Sequence, residues 1–158
     1  DKKFNNAASA YKLIEKDLSK LLNSPVSVKK LNRFNASPKS TSIEKFNNKV
    51  PKNKVVNFQG FRSICPVTSQ PDWGNIYLHS TTHSMDSTKL IKFLKSYRNR
   101  GDFHEACIES IFVTVLEDFV VNDLTVYGKF LRRGGIDINP IRSTSKKLLF
   151  NNFRDFNQ

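Results

Sequence analysis

Two cysteines, one tryptophan, one methionine and six glycines are all that the 158 residues hold of these types. Two cysteines cannot build the bridge-dense framework of a small secreted domain, so Cys65 and Cys107 read as free thiols of a reducing compartment and the chain as cytosolic. No apolar run approaches the roughly 18 residues of a membrane span, and Asp1-Lys2-Lys3-Phe4-Asn5-Asn6 contains no leader-like stretch, so neither a span nor a cleavable signal is expected. Cys-x-x-Cys, Gly-x-Gly-x-x-Gly and Walker patterns are all missing. Any nucleotide cofactor must therefore bind outside a Rossmann or P-loop site. Acidic residues are scarce too, 14 against 26 Lys and Arg, for a net charge of +12.

That excess is uneven. Residues 1–60 carry 13 Lys/Arg against 4 Asp/Glu, whereas residues 61–158 carry 13 against 10. The basic front is dominated by Lys, Asn and Ser. Between Asn32 and Lys54 its isolated apolar residues Phe34, Ile43, Phe46 and Val50 could hardly bury a core, so this stretch is expected to be loop or partly disordered. A solvated Lys/Asn-rich segment explains the charge more simply than a nucleic-acid footprint, and no direct nucleic-acid contact is expected.

Apolar residues at Ala10, Leu13, Ile14, Leu18, Leu21 and Leu22 recur at helical steps and predict a helix over 7–22, stopped by Asn23-Ser24-Pro25. Val26 to Leu31 alternates as a strand. From Lys54 to Ile64 a strand runs into Cys65-Pro66, Pro71 interrupts, and Asn75–His79 forms a second strand. Asp86 or Ser84 then caps a helix reaching about Arg100. A wide apolar stripe from Phe103 to Phe119 marks a longer helix, and strands over 124–131 and 136–140 flank Arg132-Arg133-Gly134-Gly135. The order strand, strand, helix, helix, strand, strand predicts an α+β layer, an antiparallel sheet with two helices packed on one face. Its remaining edges and face would be completed by neighbours, so a homo-oligomer is expected. Residues 144–158 read as an irregular tail despite Leu148, Leu149 and Phe150.

Cys65 sits between a strand and a stiff turn, a setting in which a thiol is a conceivable nucleophile, although a lone cysteine is more often structural filler. Cys107, on the helical stripe, fits the filler reading. Asp72 could hold or pass a proton near Cys65, or simply bond within its Pro-Asp-Trp turn. Glu105 either favours the helix dipole or, with His104, binds a ring whose adjacent N–H donors suit a carboxylate. Zinc on Cys65, His104 and Cys107 lacks the expected spacing, so no metal is assigned. Arg133 and Gly134 lie in a basic turn suited to a phosphate or to a plain strand connection. His79 and His83 form no constellation.

Together, Phe61-Arg62-Ser63-Ile64-Cys65-Pro66-Val67-Thr68-Ser69-Gln70-Pro71-Asp72-Trp73-Gly74, Ser96-Tyr97-Arg98-Asn99, Phe103-His104-Glu105-Ala106-Cys107 and Arg132-Arg133-Gly134-Gly135-Ile136-Asp137-Ile138-Asn139-Pro140 closely resemble the QueF family of NADPH-dependent nitrile reductases. Trp73-Gly74 and the Arg-Arg-Gly-Gly run look like its long, two-module form. The resemblance implies a tunnelling fold (T-fold), a dimer, and reduction of 7-cyano-7-deazaguanine to 7-aminomethyl-7-deazaguanine with two NADPH, within queuosine tRNA modification. It further implies that Cys65 forms a thioimide, that Asp72 protonates the nitrogen, that His104 and Glu105 bind the deazaguanine, and that Arg133 and Gly134 contact NADPH.

The family's Glu-Ser-Lys-Ser motif is poorly matched at Asp86-Ser87-Thr88-Lys89 and does not precede residue 54. The front resembles the second helix and third strand of the long form's N-terminal module. The resemblance therefore implies a fragment beginning just after that motif: a partial module with its linker over 1–54, the catalytic module over 55–143 and a tail over 144–158. The competing readings are a pterin- or GTP-ring cyclohydrolase of the same fold, and a non-enzymatic basic protein that binds RNA through its first 60 residues.

Overall fold

The computed structural model describes residues 2–146, 150–155 and 158. It divides into two compact units between residues 34 and 35. In the first, helix α1 (Ala7–Leu22) has the predicted bounds: the Asn6 side chain accepts from the Ser9 amide, and Asn23 closes the helix in the left-handed conformation at φ 47°. The strand expected over Val26 to Leu31 does not form. A lone extended segment has no ladder to join, and its amides find side chains instead: Val26 N–H donates to Ser19 Oγ (2.9 Å) and Val28 N–H to Glu15 Oε1 (2.7 Å).

The second unit is built on strands β1 (Thr41–Ser42), β2 (Lys49–Val50), β3 (Val56–Ile64), β4 (Pro71–His79), β5 (Met85–Asp86), β6 (Thr125–Phe130) and β7 (Ile141–Ser143), with helices α2 (Ser87–Ser96) and α3 (His104–Asp118). Five strands form one sheet in the order β1-β3-β4-β6-β7, and β2 pairs separately with β5. The main ladder is antiparallel as expected, but β1 joins β3 in parallel, so the sheet is mixed. The segment expected to be a coreless loop contributes more than that: β1 and β2 lie within it, and Ile43 and Val50 are fully buried. Two well-placed apolar side chains are enough to dock a polar segment.

Strand β4 begins earlier than predicted. Pro71 opens it opposite Ile64, a first position at which the missing N–H costs no ladder bond. In β3, Gln59 and Gly60 together face Asn75, a bulge with Gly60 at φ 70° and its amide bonded to Asn75 Oδ1 (3.2 Å). The extra residue shifts the alternation so that both Phe58 and Phe61 join the same buried cluster. There Ile76, Leu78, Val126 and Phe130 of the sheet meet Leu90 and Leu94 of α2 and Ile108, Ile111 and Val115 of α3.

Asp86 caps α2 by accepting from the Lys89 amide (2.8 Å), and a 3-10 turn, Tyr97–Asn99, completes the predicted helix. The expected strand over Ile136–Pro140 is overturned. Gly134 (φ 56°) and Gly135 (φ 84°) close a turn on their own, with Arg133 and Ile136 exchanging backbone bonds of 3.0 and 2.9 Å. β6 finds its partner beyond Pro140, in β7.

The described residues of the tail include two that pack. Phe150 and Phe153 are buried with Tyr77 and Tyr127 in a second cluster, so residues of this same chain occupy part of the face expected to await a neighbour. Leu148 and Leu149 lie outside the described residues. No helix among the described residues is long and apolar enough to cross a membrane.

Candidate active site

Four chain segments converge where β3 ends. The turn 65–70 links β3 to β4 and is closed by Cys65 N–H to Gln70 O (2.8 Å) and Ser69 N–H to Cys65 O (2.9 Å). The Ile64 amide bonds Arg100 O (2.8 Å), which brings up the segment leading into α3. The Leu131 amide bonds Trp73 O (2.9 Å), carrying the residues after β6 alongside the start of β4.

Asp72 lies at the centre and is buried. Its Oδ1 accepts from Arg133 Nε (2.5 Å), is paired with Nη2 of the same guanidinium, and lies 3.2 Å from His104 Nε2. His104, the first residue of α3, is buried as well and stacks on Phe130 with ring centroids 4.1 Å apart and planes inclined by 15°. Arg133 also donates from Nη2 to Pro71 O (3.5 Å) and from Nη1 to Thr68 Oγ1 (3.4 Å). A buried carboxylate is tolerable only when held in this way by charged or polar partners.

Cys65 is partly exposed. The Thr68 side chain, then the Thr68 and Val67 backbone, hold its thiol below the usual cysteine range, outweighing desolvation and the nearby Asp72 carboxylate, which push it up. Cys107 is the opposite case: burial pushes its thiol up to about 11, the behaviour of an inert core cysteine. Of the two thiols, Cys65 is partly exposed and Cys107 is packed in the core.

Cys65, Asp72 and His104 are brought to one place. Glu105 follows His104 in the first turn of α3 and is exposed, where it complements the helix N-terminus. Gly134 lines a cleft of about 390 Å³ together with Asp72, Trp73, Arg132 and Arg133. Arg133 reaches Asp72 across 61 residues, a contact that sequence reasoning did not foresee. Thr68 was also missed; its signal is the Cys-x-x-Thr spacing within a turn stiffened by Pro66. Among the described residues no group of three or more His, Cys, Asp and Glu is placed to hold a metal ion.

For a dinucleotide phosphate the donor set fits in part. Exposed Gly134 and Gly135, with positive φ, and the Arg132 guanidinium suit an anion, but Asp137 pairs Arg132 (3.1 Å) and Asp72 holds Arg133.

Residues 71–148 match the family described as QueF-like protein. A protein of Coxiella burnetii (strain Dugway 5J108-111) named NADPH-dependent 7-cyano-7-deazaguanine reductase is 47% identical over 97 residues, covering 61% of this chain and 35% of that protein. One of the same name from Burkholderia cenocepacia (strain HI2424) is 35% identical over 125 residues, covering 79% of this chain and 45% of that protein. The chain thus spans less than half the length of these relatives. A crystal structure titled archaeosine synthase QueF-Like in the apo form overlaps 63% of this chain and 95% of that one, at a TM-score of 0.49 and 17% identity.

Proposed function

We propose that this chain, a member of the QueF-like family through residues 71–148, carries the nucleophile and proton donor of an NADPH-dependent 7-cyano-7-deazaguanine reductase. The product would be the 7-aminomethyl compound, the pathway queuosine modification of tRNA, the compartment the cytoplasm and the working form a homo-oligomer. The observation that carries the reading is a partly exposed Cys65, its thiol held low by Thr68, beside a buried Asp72. The names of the relatives favour it over a cyclohydrolase or an RNA-binding protein.

A thiolate at Cys65 adds to the nitrile carbon: the C–S bond forms, one C–N π bond breaks, and its electron pair goes to nitrogen, which takes a proton. Asp72, a carboxylate held by Arg133 and His104, would take the proton that the Cys65 thiol gives up as the thiolate forms and pass it to that nitrogen. The product of this step is a thioimide on Cys65, with all atoms of the nitrile retained. His104 and Glu105, at the start of α3, would recognise the ring, Glu105 by accepting from its adjacent N–H donors. Arg133 and Gly134 would contact NADPH, with Arg132 lining the same cleft. NADPH, when bound, would supply one hydride, and two NADPH in succession would take the nitrile to the amine.

Intact mass after incubation with 7-cyano-7-deazaguanine, without NADPH, tests the reading. The expected result is a one-to-one increase by the full mass of the nitrile, lost in Cys65→Ala. A folded sample that gains no mass, or a Cys65→Ala variant that still gains it, overturns the assignment of Cys65.

A further inference from the structure

We propose that the cleft between β3 and α2 binds a phosphate monoester or free phosphate through Arg62 and Arg98. The cleft has a volume of about 270 Å³, and Arg62, Lys95 and Arg98 line it with Glu44 as their one acidic neighbour. It lies at the edge of the main sheet, where β1 covers β3 only at Val56 and Asn57. Glu44 lies 3.7 Å from Lys95, which leaves the two guanidinium groups uncompensated. Among the described residues neither Arg62 nor Arg98 is paired with a carboxylate.

Arg62 supplies the observation that points to a ligand. Its Nε is closed off from water and has no hydrogen-bond partner among the described residues, a state in which buried donors are seldom left. Its guanidinium lies over the Trp73 ring, 5.6 Å from the centroid, and contact with a ring face satisfies none of its N–H donors in the ordinary way. Lys95 and Arg98 stand at the C-terminal end of α2 and complement its dipole, but Arg62 belongs to a strand and answers no helix end. Two guanidinium groups, each able to take two oxygens, suit a dianion with three free oxygens better than a carboxylate with two. Under the proposed NADPH-dependent reaction the monoester would be the cofactor's 2′-phosphate, the group that distinguishes NADPH from NADH. Trp73, which carries Arg62 on its ring, also lines the cleft of Arg133 and Gly134. The anion site itself does not depend on that reaction.

Phosphorus NMR on the free protein tests the site, with NADP+ and inorganic phosphate as separate probes in chloride buffer of constant ionic strength. The 2′-phosphate of NADP+ resonates apart from its pyrophosphate, so the spectrum shows which group is held. Broadening of the 2′-phosphate assigns the site to a nucleotide; broadening of inorganic phosphate alone assigns it to the free ion. In either case Arg62→Gln and Arg98→Gln should each weaken binding on the order of tenfold, the loss of a charge-assisted hydrogen bond. Glu44→Gln, which removes the opposing charge, should tighten it. The proposal is overturned if neither resonance responds, if the pyrophosphate alone responds, or if either arginine variant binds like the parent. If Arg62→Gln does not fold by circular dichroism, the exposed Arg98 decides through Arg98→Gln. No nitrile is present, so a failed adduct experiment would remove the proposed reaction and leave this result standing, and the reverse.

Discussion

His104 Nε2 lies 3.2 Å from Asp72 Oδ1, and both side chains are almost wholly withdrawn from water, at 7% and 5% exposure. The first residue of a helix and the second of a strand are joined at the point where the chemistry is proposed. His104→Phe keeps a ring against Phe130 while leaving the carboxylate one partner short. A buried polar group deprived in this way costs about 1–3 kcal/mol, to be read as a lower urea midpoint at unchanged slope. An unmoved midpoint would mean that the contact adds nothing net to stability.

Gly74→Ala should be damaging for a reason unconnected with chemistry. A Cβ there would lie 2.9 Å from the Lys129 carbonyl oxygen and 3.0 Å from Phe130 Cδ1, and a neighbouring strand's backbone cannot yield as a side chain can. Overpacking of this kind costs about 1–3 kcal/mol. Gly101→Ala, where a Cβ meets nothing within 4 Å, is the matched control and should stay within about 0.5 kcal/mol of the parent. Equal losses from the two changes would show that the tight fit of β4 on β6 does not limit stability.

Stability should rise between about pH 8 and pH 9. Burial lowers Lys129 from 10.5 to about 8, so above that pH the folded chain has released a proton that the unfolded chain still holds, and the equilibrium moves toward the fold. As pH falls from about 10.5 to 8 this contribution is lost. Above about pH 9 a second group opposes it: burial raises Cys107 from 9.0 to about 11, so its thiol stays protonated in the fold when the unfolded chain has released it, and the two contributions cancel until Lys129 is spent near pH 10.5. Urea unfolding at pH 7, 8, 9 and 10 should therefore show a rise followed by a plateau. Lys129→Met should remove the rise and uncover a fall above pH 9; a rise that persists in that variant would assign it to another group.

The sequence was most legible where structure is local. Helix α1 has the bounds its periodicity and Asn23 stop predict, Asp86 caps α2, and the stripe of α3 faces the core with Cys107 in it. It was least legible where a segment's state depends on a distant partner. Ile136 and Ile138 alternate like a strand, yet Ile136 is 66% exposed, because the double-glycine turn returns the chain at once and pairing resumes only after Pro140. Polar composition disguised Ile43 and Val50 as loop residues, since burial depends on where two side chains land rather than on their neighbours' average character. Within the site, Cys65 and Asp72 share a short stretch and could be read together. Nothing local ties Arg133 to a carboxylate 61 positions earlier, and that contact exists only once β6 lies beside β4.

The far-side cluster of Tyr77, Tyr127, Phe150 and Phe153 also sets an order of events during synthesis. The helix-side core draws its members from residues 43 to 130 and is available as soon as β6 has left the ribosome. Tyr77 and Tyr127, by contrast, have only Val55 and Ile141 of their cluster until residues 150–153 have emerged, at elongation rates of roughly 5–20 residues per second. For that interval the nascent chain presents an aromatic sheet face, the kind of surface that chaperones bind, and arrival of Phe150 and Phe153 ends the exposure.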